Sequence, residues 1–98
     1  MFVDHQLRVV LLEDEIQVRG YIQSLLESLG CAVNSLEPVD AVQICSATAE
    51  ADLLLMDTTL PDIDVAGMRG KLRQTRPELN VVLLLPANNQ SGFLAAAR

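Results

Sequence analysis

Short apolar runs alternate with segments of helical period along this chain, and no other feature narrows its possible folds so far. Arg8 to Leu12 reads RVVLL, a continuous apolar run of the kind shown by a strand buried on both faces. In the next segment, EIQVRGYIQSLLESLG, Val18, Ile22, Leu25, Leu26 and Leu29 recur at helical spacing. Gly30 is placed to take the left-handed turn that closes this helix, and Asp14, with Gln17 three residues on, is placed to cap its start. Cys31 to Leu36 predicts a weaker second strand, and Pro38, at a first helical position, opens a short helix to about Ala47. Leu53 to Met56 predicts the third strand. Val65 to Thr75 predicts the third helix, with Val65, Met68 and Leu72 turned inward. Val81 to Leu85 follows as the fourth strand, and Asn88 to Arg98 as a last helix that packs through Phe93, Leu94 and Ala97.

Strand and helix in strict alternation predict an α/β fold, a parallel sheet covered by helices, and right-handed crossovers make it doubly wound. With 98 residues there is room for one domain, spanning 1–98, and one core. A net charge of −6 argues against a general binder of nucleic acid or anionic membrane. The apolar runs are far shorter than the roughly 18 residues of a membrane span. The start, MFVDHQLRVV, lacks the apolar stretch of a secretion signal, so a cytoplasmic location is expected. Cys31 and Cys45 are too far apart for a CxxC motif and read as two reduced, partly buried thiols. His5 falls in the irregular start and reads as incidental, and Arg69, Lys71, Arg73 and Arg76 read as a solvated basic face on the third helix.

In a doubly wound sheet, ligands gather beyond the carboxyl ends of the strands, where the winding reverses. Two predicted strands end there in acid, the first in LLEDE with Glu13, Asp14 and Glu15, the third in LLLMD with Asp57. If the two strands are neighbours, Glu13, Asp14 and Asp57 converge. Crowded carboxylates raise one another's pKa unless a cation sits among them, and a hard divalent ion with oxygen ligands is suited to that place. A carboxylate held there can also attack a phosphoryl group. The spacing equally allows strand ends and helix caps in solvent. Pro61, Asp62 and Asp64 read as a turn, with Asp64 a candidate cap for the third helix.

From RVVLLEDE through LLLMDTTLPDIDV to RPELNVVLLLPA the chain closely resembles the receiver domain of bacterial response regulators. The resemblance implies a flavodoxin-like receiver fold with strand order 2-1-3-4, the family's fifth strand, its lysine and its last helix being absent from this chain. It implies phosphorelay signal transduction, with Asp57 as phosphoacceptor taking its phosphoryl group from a histidine kinase or phosphotransfer protein. It also implies magnesium on Asp14 and Asp57 directly, on Glu13 through water, and on the backbone carbonyl of Thr59. Such a domain accepts a phosphoryl group rather than acting as an enzyme, and it controls an attached or separate output, here an output domain beyond Arg98. An aspartate-nucleophile phosphatase would need a second acid where this chain has Thr59. A flavin-phosphate site would want phosphate-cradling amides where it has Glu13, Asp14 and Glu15.

This sequence departs from the family pattern at Val65, where glycine is usual, and at Leu85, where the family has a hydroxyl residue that contacts the phosphoryl group. These departures, with the missing lysine, support an alternative: a degenerate receiver that serves as a dimerisation or docking module without phosphorylation. The fourth strand, VVLLL, would be an apolar sheet edge, and such edges pair with something. The expectation is therefore a fragment of a longer regulator, or a homodimer through the fourth strand and last helix.

Overall fold

The computed structural model describes residues 6–36, 41–58, 64–84 and 95–97. Strands β1 (Arg8–Leu12), β2 (Ala32–Leu36), β3 (Leu53–Asp57) and β4 (Asn80–Leu84) alternate with helices α1 (Ile16–Ser28), α2 (Ala41–Ala47) and α3 (Val65–Thr75). A short last strand, β5, spans Ala95–Ala97. The sheet order is β2-β1-β3-β4-β5, and the first four strands run parallel, as predicted.

Side-chain alternation along the central strands divides the core between two faces. Val10, Leu12, Leu54 and Met56 pack with Ile44 of α2 and Met68 and Leu72 of α3. Val9, Leu11 and Leu55 pack on the other face with Ile22 and Leu26 of α1. Leu11, Leu12, Leu54 and Met56 are fully buried, which is why β1 and β3 read as unbroken apolar runs.

The expected caps and stops are largely in place. Gly30 has φ +93°, a conformation that side chains disfavour, and ends α1. Asp64 caps α3, its carboxylate accepting from the Gly67 N–H at 3.1 Å. Glu15, not Asp14, caps α1, accepting from the Gln17 N–H at 3.0 Å. Glu15 stands at the cap position itself, and its side chain reaches the second helical amide.

Three other expectations are corrected. The apolar stripe of α1 is only partly inward: Ile22 and Leu26 pack, whereas Val18, Leu25 and Leu29 are exposed together with Tyr21. Arg19 and Gln23 share the half-buried side of the helix, and the Gln23 side chain accepts from the Ser35 hydroxyl of β2 at 2.7 Å. The last helix is replaced, over Ala95–Ala97, by a strand antiparallel to β4, with Val81 opposite Ala97 and Leu83 opposite Ala95. An apolar edge offers a row of unpaired backbone groups, and three alanines are too few to sustain a helix against that ladder. The chain thus pairs its own β4 edge. The remaining positions of the predicted helix, including Phe93 and Leu94, and also His5 and Pro38, lie outside the described residues.

Arg76 also departs from the solvated basic face. Its side chain is 20% exposed, and its guanidinium donates to the carbonyls of Thr48 at 2.5 Å, Ala49 at 2.7 Å and Ala51 at 2.9 Å. The Thr48 hydroxyl turns back to the Ile44 carbonyl at 2.9 Å. Arg76 thus holds the segment that follows α2, and the Thr48 hydroxyl serves carbonyls in the last turn of the helix. Both cysteines are free and half-buried, as expected.

Candidate metal centre

The register of β1 on β3 builds the site. Leu12 lies opposite Met56, so Glu13 and Asp57, the residues that follow, emerge side by side at the carboxyl end of the sheet. Asp14 comes next on the β1 side. Oxygen atoms of Glu13, Asp14 and Asp57 all lie within 4.8 Å of one another. The three acids picked out from the strand ends are therefore one cluster.

Their surroundings differ. Glu13 is buried at 3% exposure, Asp57 is half-buried and Asp14 is exposed. Burial pushes the Glu13 carboxyl up to about 7, and the charge of Asp57, a side-chain hydrogen bond with it and the charge of Asp14 push the same way. The N–H of Glu15 opposes them by donating to a Glu13 oxygen at 3.0 Å. A carboxyl raised in this way is held partly protonated by burial first and by its acidic neighbours second, and a cation among them would favour the charged form. The donor set, three carboxylates of graded exposure, suits a hard divalent ion that keeps some of its waters.

Several supporting contacts had no sequence signal. Arg19 Nη1 donates to the Glu13 backbone carbonyl at 3.2 Å, tying α1 to the end of β1. Thr58, one residue past Asp57, places both its N–H and its hydroxyl on the Leu84 carbonyl, at 3.2 and 3.0 Å. Its partner stands 26 residues away, so only the β3–β4 register could have revealed the contact. Thr59, expected to offer a backbone carbonyl, and Leu85, expected to stand where the family has a hydroxyl residue, lie outside the described residues.

A parallel sheet of order 2-1-3-4 with an acidic cluster at the carboxyl ends of its first and third strands is the arrangement of a response regulator receiver domain, and this chain has that receiver fold. Among known proteins it is similar to the KDP operon transcriptional regulatory protein KdpE of Escherichia coli K12, with 31% identity over 88 residues. The aligned region is 90% of this chain and 39% of that regulator's length. No family model matches the chain. The fold also matches a chain in the crystal structure of histidine kinase ThkA in complex with response regulator protein TrrA, at a TM-score of 0.71 and 18% identity. That match covers 87% of this chain and 73% of the other.

Proposed function

We propose that this domain is the receiving end of a two-component phosphorelay, accepting a phosphoryl group on Asp57. The observation that carries this reading is the clustering of Glu13, Asp14 and Asp57 within 4.8 Å at the carboxyl end of a doubly wound sheet. An Asp57 carboxylate oxygen attacks the phosphorus of an N-phosphorylated histidine. The new O–P bond forms as the N–P bond breaks, and the histidine nitrogen leaves with the bonding pair and takes up a proton. Magnesium, held by Asp14 and Asp57 directly, by Glu13 through water and by the Thr59 carbonyl, would supply positive charge to the transferring oxygens. The chain's own residues do the positioning. The β1–β3 ladder aims Asp57, burial holds Glu13 beside it, and Glu15, by capping α1, leaves Asp14 available.

A histidine kinase is the proposed donor, supported by the likeness to a chain in a kinase–regulator complex. The output is proposed to be transcriptional, in line with the regulator KdpE. Among the described residues no helix is long and apolar enough to cross a membrane, and we place the domain in the cytoplasm as a phosphate acceptor rather than an enzyme.

With magnesium and acetyl phosphate, the intact mass should rise by one phosphoryl group, and Asp57→Asn should prevent it. A folded, magnesium-loaded protein that shows no adduct would refute the acceptor reading. The docking-module alternative rests on Leu85 in place of a hydroxyl residue. It predicts that phosphorylation, if it occurs, changes neither shape nor association state in solution scattering.

A further inference from the structure

We infer that Thr58 is a positioning residue for Asp57, an assignment that rests on the acceptor reading and adds to it. Asp57 is the last residue of β3 and lies opposite Leu84, the last of β4. One residue further on, the Thr58 N–H reaches the Leu84 carbonyl at 3.2 Å, at the long end of the normal range. A ladder that ended on this bond alone would fray first at Asp57. The Thr58 hydroxyl adds a second bond to the same oxygen at 3.0 Å, so one residue engages both lone pairs of that carbonyl. Asp57 is then held from two sides, by the Glu13 side chain on one and by β4 with this double bond on the other. Glu13 and Asp14 follow β1 and do not depend on it.

That division separates two properties of the site. Metal binding draws on carboxylates from both strands and tolerates a looser Asp57. In-line attack requires one oxygen to be aimed at phosphorus, and a misplacement of about 1 Å can cost up to about a hundredfold in rate. Without the hydroxyl, Asp57 should still reach the metal but meet the phosphoryl group in fewer productive orientations.

The test compares wild type, Thr58→Val, which keeps the branched shape, and Thr58→Ser, which keeps the hydroxyl. Three quantities are measured: the rate of uptake from acetyl phosphate at saturating magnesium, the magnesium Kd, and the urea midpoint. Thr58→Val should take up the phosphoryl group about tenfold more slowly, with a Kd within about twofold of wild type, and Thr58→Ser should recover the rate to within about twofold. Thr58→Ala gives the same comparison with serine if the valine variant does not fold. A valine variant as fast as wild type, a serine variant as slow as valine, or a magnesium affinity that falls in step with the rate would each overturn the assignment while leaving Asp57 as acceptor. A wild-type protein that takes up no phosphoryl group would remove the acceptor reading and the role of Thr58 with it.

Discussion

Replacing Arg76 should destabilise this domain well beyond what the loss of an exposed charge costs. The guanidinium donates to three carbonyls, those of Thr48, Ala49 and Ala51. Ala49 is exposed, so water can take over its bond. Thr48 and Ala51 are 0% and 4% exposed, and their carbonyls would lose a charged donor with little access to solvent. Each buried acceptor left unpaired costs about 1–3 kcal/mol. Two of them, offset in part by the side-chain entropy that Arg76 no longer forfeits, put Arg76→Met at about 2–4 kcal/mol. That is a large share of the roughly 5–15 kcal/mol that holds a domain together, and at ~4–8 °C per kcal/mol it lowers the melting point by about 8–32 °C. Arg76→Lys should cost about half as much, because one ammonium cannot span carbonyls that the planar fork reaches together. Glu78→Gln, which removes the exposed ion pair at 2.6 Å, should leave the midpoint almost where it is. The chain has no tryptophan and one tyrosine, so urea unfolding is best followed by far-ultraviolet circular dichroism. An Arg76→Met stability within about 0.5 kcal/mol of wild type would show that the three bonds do not hold the segment after α2 as described.

The remaining predictions concern the site and the helix ends. Glu13 must lose its proton to bind a metal, so magnesium affinity should rise about tenfold between roughly pH 6 and 8 and level off above, measured by titration calorimetry in matched buffers. In the metal-free protein the same group acts on stability in the other direction. Its folded-state pKa of about 7 lies above its ordinary 4.5, so the folded state binds the extra proton and loses stability as pH rises through that interval. Glu13→Gln should flatten this dependence, and a metal-free profile unchanged by the substitution would contradict the burial of Glu13. Gly30→Ala should destabilise by about 1–2 kcal/mol, because φ +93° is unfavourable for a side chain, and thermal melts would show it. Asp64→Ala should cost about 1 kcal/mol through the lost cap of α3, with the urea m-value unchanged.

What could be read from the sequence was local. β1 and α3 fall on the predicted residues, Gly30 and Asp64 do what their types suggested, and the acids at the ends of β1 and β3 meet because alternating elements impose a parallel sheet. What could not be read depends on partners distant in sequence. Arg76 and Thr58 are a charged residue and a small hydroxyl whose acceptors lie 28 and 26 positions away, and no periodicity marks either. The error at the start of α1 was a choice between adjacent acids, settled by which one stands at the cap position. The error at the chain's last residues was a contest between alanine's helix propensity and an open β4 edge, and propensity is the weaker of the two.

The pairing of β1 with β3 has a consequence for how the site comes into being. Their near ends are tied by Arg8, the first residue of β1, and Asp52, just before β3, bonded across 44 positions, whereas β5 folds back on β4 from close by. Closing the longer loop costs more entropy before any contact compensates, so the acidic cluster belongs to the late, long-range part of assembly. Glu13 and Asp57 have no shared address in the unfolded chain. Magnesium affinity therefore reports on completion of the whole sheet, and a core substitution far from any carboxylate, such as Leu54→Ala, should weaken the metal site by lowering the population in which β1 and β3 are joined.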